Sequence, residues 1–338
     1  MTEELRIVDA DTLLSTPIKK TRYIIEGFLP EGISILCGAP KVGKSWLMLW
    51  ICLQVSQGLP VWSMKTHECD VLYLCLEDPL HRIQDRLYSI SESAPDNLYF
   101  ANTSSKLDNG FQKQIHTHMQ NHPETKLIVI DTLQKIRNTD GHTSMLYAAD
   151  YNDITALKVI ADKYGIAILA VHHLRKMLDS NDPFNQVSGT TGITGAVDSI
   201  FVITKDSRTD ETAFLTASGR DIEQQQLTLR FQDRVWHLID RKGQAELKEE
   251  AIPMFIHRVV RFAQNRKEWS GTASQLLSLL GDTETSPIIV TKLLSRYYYD
   301  ALQPKGIIYV TKRTSKERLI YLTTNDSYDS NDNNTDTI

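Results

Sequence analysis

The stretch Gly38-Ala39-Pro40-Lys41-Val42-Gly43-Lys44-Ser45 constrains the fold of this chain more than any other, because it reads GxxxxGK(S/T) without a mismatch. Its flanks set the local structure. Ile33 to Cys37 is a short apolar run suited to a buried strand, and Trp46 to Gln57 has the composition of a helix. Strand, loop and helix in that order aim successive backbone N–H groups, and the positive end of the helix dipole, at phosphate oxygens. Lys44 then reaches the terminal phosphates of a nucleotide, and Ser45 offers an oxygen to Mg2+. Gly38 and Gly43 permit backbone shapes that a side chain would obstruct.

Two further strand tips carry the right chemistry for such a loop. Asp70 to Leu76 reads as a buried strand that stops at Glu77-Asp78-Pro79. In open α/β sheets ligands bind outside the carboxyl ends of the strands, so Glu77 is a candidate to orient and deprotonate an attacking water. Asp78 suits a helix N-cap better. Lys126 to Asp131 is the next strand, and Asp131 is expected at the tip of the strand beside the phosphate loop, where it would hold Mg2+ through water together with Ser45. No second acid follows Asp131 directly, which leaves the water-activating role to Glu77. A helix from Met145 to Tyr164 leads to a strand over Gly165 to Val171, ending at His172-His173-Leu174-Arg175-Lys176. A polar group at that tip, His173 foremost, can hydrogen-bond the γ-phosphate or the water.

Ser188 to Gly195 holds three glycines among hydroxyl residues, a pattern for close approach to a phosphate chain or for a plain surface connection. Ala196 to Ile203 reads as a fifth strand. Thr212 to Ala217 and Gln226 to Phe231 alternate like half-exposed antiparallel strands around the turn Ser218-Gly219-Arg220-Asp221. Arg220 is placed there either for donation to a neighbouring subunit's γ-phosphate or for a surface ion pair. His116, His118 and His122 cannot all share one helix face, lack a completing acid or thiol, and read as exposed.

No run approaches the ~20 apolar residues that span a bilayer, and the start MTEELRIVDADTLL lacks a basic, apolar leader, so a cytoplasmic protein without a membrane partner is expected. Cys37, Cys52, Cys69 and Cys75 form no CxxC pair and read as small core residues. The net charge of −5 is unevenly spread: residues 251–324 hold 11 Lys/Arg against 5 Asp/Glu, a net of +6, whereas the last fourteen residues carry four Asp and no base. A basic module on an acidic body suits a polyanionic partner, the plain alternative being a solvated basic face.

Taken together, GAPKVGKS, the strand ending CLED, LIVID, the strand ending VHHLRK and the turn ASGRD resemble the RecA-like ATPase core of the RepA-type hexameric helicases of phages, plasmids and integrated elements. The resemblance covers about residues 22–240. It implies an α/β P-loop core with ATP and Mg2+ as cofactors, Glu77 as catalytic glutamate, Asp131 as the metal-linked aspartate, His173 as sensor and Arg220 as arginine finger. It further implies that Ser188 to Gly195 faces a central channel and touches single-stranded DNA, within a homo-hexamer that meets replication proteins of the element or host. Relatives of the DnaB type have a lysine two residues before the finger, where this chain has Ser218.

The expected organisation is an N-terminal extension (1–21), the ATPase domain (22–245), a winged-helix-like domain (251–324) and a disordered acidic tail (325–338). In the third segment, helices over Phe255 to Glu268, Thr272 to Leu280 and Ile288 to Leu302 precede a hairpin of Gly306 to Val310 with Arg318 to Leu322. Lys312, Arg313, Lys316 and Arg318 would sit on the wing, with Lys292 and Arg296 on the recognition helix. The expected function is an ATP-driven DNA helicase. The alternative is an ATP-switched single-stranded-DNA-binding or loading factor that does not unwind, and a small-molecule kinase is more distant because no lid arginines are visible.

Overall fold

The computed structural model describes residues 7–16, 21–137, 146–174, 183–187, 191–207, 209–250, 252–313 and 317–324. It divides into two compact units, Met1–Gln244 and Ala245–Ile338. In the first, α1 (Ala10–Ser15) and the hairpin of β1 (Tyr23–Ile25) and β2 (Leu29–Pro30) precede the main sheet. The chain then runs through β3 (Gly32–Gly38), α2 (Lys44–Ser56), β4 (Asp70–Cys75), α3 (Leu80–Ile90), β5 (Leu98–Ala101), α4 (Phe111–Asn121) and β6 (Thr125–Asp131). After α5 (Leu133–Ile136) and α6 (Leu146–Tyr164) come β7 (Ala167–His173), α7 (Thr191–Ala196), β8 (Ser199–Thr204), β9 (Thr212–Gly219), β10 (Gln225–Gln232) and β11 (Val235–Lys242).

Nine strands form one sheet in the order β11-β10-β9-β8-β3-β7-β6-β4-β5. Pairing is parallel from β8 to β5 and antiparallel from β8 out to β11. The period-2 alternation of each central strand feeds two cores. Leu36, Tyr73, Val129 and Val171 join one with Leu47 and Ile51 of α2. Ile35, Leu74, Ile130 and Ala170 join the other with Ile115 of α4 and Leu157 of α6. Strands covered on both faces need apolar side chains at every position, which is why they read as continuous runs.

Several expectations are corrected. Asp131 is not on the strand paired with β3: β7, the strand ending in the histidine pair, lies between β3 and β6. The fifth strand begins at Ser199 rather than Ala196, because Ala196 closes α7 and Asp198 turns its carboxylate inward to accept from Ile33 N–H at 3.0 Å. Strands β5 and β11 carry no clear sequence signal. The four residues of β5 and the weak alternation of β11 carry too little pattern to stand out.

From α8 (Gln244–Glu250), which starts at the last residue of the first unit, the chain enters the second, with α9 (Met254–Arg266), β12 (Glu268–Gly271), α10 (Ala273–Leu280), α11 (Pro287–Arg296), β13 (Ile307–Arg313) and β14 (Arg318–Thr324), the strands ordered β12-β14-β13. Ile256, Val259, Leu276, Val290, Leu294 and Ile320 form its core. Thr272 and Gln275 close a capping box on α10. The helix expected over Ile288 to Leu302 stops at Arg296, and Tyr298–Leu302 winds as a π turn. The helix expected to run to Glu268 gives way at Lys267, and Glu268 opens β12. Arg313 and Arg318 pair at the hairpin tip, and Lys292, Arg296 and Lys312 are exposed. Lys316 and the tail 325–338 lie outside the described residues.

Candidate nucleotide site

The phosphate loop connects the C-terminal tip of β3 to α2. Gly43 caps α2 in the left-handed region at φ 102°, without a side-chain cap among the described residues, so the first-turn N–H groups are left for an anion. A Cβ at Gly43 would lie 2.9 Å from the Trp236 ring, and one at Gly38 would lie 2.6 Å from Ile203 Cγ2. Packing thus requires glycine at both positions, and at Gly43 the positive φ requires it as well. Trp236 of β11 is buried beneath the loop and donates Nε1–H to Gly43 O at 3.3 Å. The antiparallel strands therefore brace the phosphate loop, a role that only the fold reveals. Lys44 Nζ donates to Gly38 O at 2.7 Å and Ala39 O at 3.0 Å, and Val42 N–H turns back to Ala39 O at 3.3 Å. Pro40 and Lys41 complete the loop, with Lys41 at φ 65°.

Lys44, Ser45, Glu77, Asp131 and His173 line a single cleft of about 420 Å³, together with Trp46, Arg86 and Thr132. Asp131 is 5% exposed. Burial pushes its pKa up, opposed by hydrogen bonds from the Ser45 and Tyr73 hydroxyls and by Lys44. Tyr73 OH reaches Asp131 Oδ2 at 3.0 Å from the middle of β4. Burial also lowers the pKa of Lys44, against the pull of Asp131. Glu77 stands on the turn after β4, where its Oε1 accepts from Thr132 Oγ1 at 3.2 Å. His173 ends β7, and among the described residues its buried Nδ1 has no hydrogen-bond partner.

Asp78 does not cap α3, whose N-cap is Pro79; it pairs with Arg82 at 2.6 Å and Arg86 at 2.5 Å. Arg86 was not singled out in the sequence, because an arginine one helical turn beyond another reads as a solvated face. The structure instead brings it to the cleft wall, 5.4 Å from the Trp46 ring centre. Asp131 and Ser45 supply hard oxygens, and the cleft has room for phosphate oxygens and waters, so the donor set fits Mg2+ with a nucleoside triphosphate. Among the described residues no cluster of three or more His, Cys, Asp or Glu offers a separate metal site.

Arg220 lies elsewhere. Gly219 pairs with Ser199 at the start of β8, and Ser199 pairs with Ser34, four residues before the loop end of β3. That places Arg220 at the opposite edge of the sheet, roughly 13 Å of strand rise from its own phosphate loop. Its Nη1 donates to Asp198 Oδ1 at 3.0 Å. Of the histidines read as exposed, His116 is, but His118 and His122 are half-buried and stack at 4.7 Å. His118 Nε2 lies 3.1 Å from Thr125 Oγ1, and burial, with His122, pushes its pKa down to about 4. Arg175, Lys176 and residues 188–190 lie outside the described residues, and Thr191–Ala196 is helical. All four cysteines are buried and free. A larger depression of about 740 Å³, lined by Arg22, Glu31, His67 and Glu124, holds none of the expected site residues. No described helix is long and apolar enough to cross a membrane.

The fold is similar to the ATPase domain of G40P, at 12% identity and TM-score 0.52 over 62% of this chain and 85% of that one. It is also similar to a DnaB-like replicative helicase described with its primase interactions, at 12% identity and TM-score 0.50, over 62% of this chain and 58% of that one. Among curated proteins none matches in sequence. The sheet with its two helical layers thus has the RecA-like P-loop NTPase fold. A family model described as an AAA domain matches residues 2–178, more than half of the chain, and the protein belongs to that family.

Proposed function

We propose that this protein is an ATP-hydrolysing motor of the RepA type that acts on single-stranded DNA as a homo-hexamer, in the replication of a plasmid, phage or integrated element. The observation that carries the proposal is the split of the expected machinery. Lys44, Ser45, Glu77, Asp131 and His173 share one cleft, whereas Arg220 lies on the opposite edge of the same sheet. An arginine there cannot serve its own phosphate loop, so a role at a γ-phosphate requires a neighbouring copy.

In this reading Lys44 exchanges the Gly38 and Ala39 carbonyls for β- and γ-phosphate oxygens, and the N–H groups of Gly43 to Ser45 hold the phosphate chain. Ser45 and Asp131 would hold Mg2+, whose charge would offset that of the phosphate chain. Glu77, steadied by Thr132, orients the attacking water and accepts its proton. His173 hydrogen-bonds the γ-phosphate and carries its loss to the segment that follows β7. Arg86, fixed by Asp78, adds positive charge at the cleft wall. Arg220 of the adjacent copy stabilises the transition state. The second unit, with α10, α11 and the hairpin tipped by Arg313 and Arg318, acts as a winged helix that grips DNA phosphates.

Ser218, in place of a DnaB-type lysine, favours a second reading, an ATP-switched single-stranded-DNA-binding or loading factor. One experiment separates the two: ATP turnover with and without single-stranded DNA, beside unwinding of a forked duplex. Stimulated turnover with strand separation supports the motor. Stimulated turnover without separation supports the switch, and turnover indifferent to DNA removes both.

A further inference from the structure

Asp198 takes no part in the nucleotide cleft, yet it is only 7% exposed and gathers three donors. Ile33 N–H reaches Oδ2 at 3.0 Å, Lys158 Nζ from α6 lies 2.6 and 2.7 Å from the two oxygens, and Arg220 Nη1 reaches Oδ1 at 3.0 Å. Two cations thus share one buried carboxylate. The backbone of the finger turn is fixed as well. Arg220 N–H donates to Asp198 O at 2.9 Å, and Tyr23 OH donates to Asp221 O at 2.5 Å. A Cβ on Gly219 would lie 2.5 Å from Ser199 Oγ, so only glycine lets the turn sit this close to β8.

The consequence is a guanidinium held from behind and open in front. Nη1 is on Asp198 and Nη2 donates to Gly195 O at a long 3.5 Å, while 58% of the side chain remains exposed. Arginine has five N–H donors in a rigid fork, so these two contacts leave further donors on the exposed side for a phosphate. We infer that Asp198 is a positioning residue for Arg220, holding the guanidinium so that its free edge meets the γ-phosphate bound by the next copy. Lys158 is the permanent counter-charge. It keeps a buried carboxylate compensated whenever Arg220 shifts toward phosphate, since a buried charge stripped of its partner is strongly destabilising. This inference rests on the proposed shared site.

The test uses the full chain in mixed assemblies. Asp198→Asn preserves shape and can still accept from Ile33 N–H, but it removes the charge that holds Arg220. Alone, it should bind ATP within about twofold of the parent and lose about tenfold or more of its turnover. Mixed with Glu77→Gln, which has a dead site and an intact finger, it should regain turnover several-fold. Mixed with Arg220→Ala it should regain nothing, because neither subunit donates well. Full turnover by Asp198→Asn alone, or recovery on mixing with Arg220→Ala, overturns the inference.

Arg220→Ala by itself tests the shared site: parent-like turnover there sinks that reading, whatever Asp198 does. Arg220→Lys keeps the inference testable should Asp198→Asn not fold. A single ammonium cannot hold Asp198 and reach a phosphate at once, so Arg220→Lys should match Arg220→Ala within about threefold, and parent-like turnover refutes the anchored-fork geometry.

Discussion

Replacing Tyr73 by Phe isolates one atom of the nucleotide site. Tyr73 is fully buried in the middle of β4, and its hydroxyl donates to Asp131 Oδ2 at 3.0 Å. Phenylalanine refills the same space, so the packing cost is small and the change reduces to one hydrogen bond to a carboxylate. Bonds of that kind are worth about 1.5–3 kcal/mol, because the buried acceptor is left unpaired. Asp131 already has its pKa raised by burial, with Ser45 and Tyr73 as the main opposing hydrogen bonds. Losing Tyr73 therefore weakens the charged, correctly turned form that Mg2+ requires. Since 1.4 kcal/mol is tenfold in an equilibrium constant, Mg2+-dependent ADP binding should weaken about 10- to 100-fold. ADP binding in EDTA should change by less than about twofold, because Lys44 and the loop amides are untouched. Calorimetric titration with and without Mg2+ reads both numbers. Equal losses in the two conditions, or no loss in either, would refute the reasoning.

Other expectations follow from the same contacts. Lys44→Ala should abolish tight ATP binding, while Glu77→Gln should keep ATP bound and slow turnover by at least about 100-fold, as filter binding and phosphate release would show. His118 has its pKa lowered to about 4 in the folded chain, against an ordinary value near 6.5, so folding favours the neutral ring. That contribution is fully present above about pH 6.5 and is lost as pH falls toward 4; discounted for partial exposure it is about 1–2 kcal/mol. His118→Gln should flatten the pH dependence of urea unfolding between pH 7 and 4.5, and an unchanged slope would exclude the assignment. Replacing Lys312, Arg313 and Arg318 by Gln should lower the salt slope of single-stranded-DNA binding by about 2, at about 0.7 per lost phosphate contact. An unaltered slope would leave the second unit as a protein-docking module.

The parts of this molecule that were legible in the sequence are those where backbone and chemistry obey one local rule. The GxxxxGKS loop announces its strand and helix, and continuous apolar runs ending in Glu77, Asp131 and His173 announce buried parallel strands with polar tips. Their convergence in one cleft follows from parallel pairing, which puts every C-terminal tip on one edge. The sheet order was not legible, because apolar runs of similar length carry no label for their neighbours. Thus Asp131 was expected beside the phosphate loop, although β7 intervenes. Tyr73 was hidden inside an apolar run, where an aromatic reads as core filling. Arg86 and Trp236 act only through tertiary contacts, Arg86 through Asp78 and Trp236 under Gly43. Asp198 was read as a strand residue, and nothing local hints that Ile33, Lys158 and Arg220 converge on it from three separate elements.

The central claim is that each phosphate loop is half of a site completed by a second copy. Native mass in solution tests it most directly, measured on the Glu77→Gln chain with and without ATP, Mg2+ and single-stranded DNA. The account predicts a closed multimer of about six copies that forms or tightens with ATP and carries one DNA strand per ring. A chain that stays monomeric under all of these conditions would contradict it.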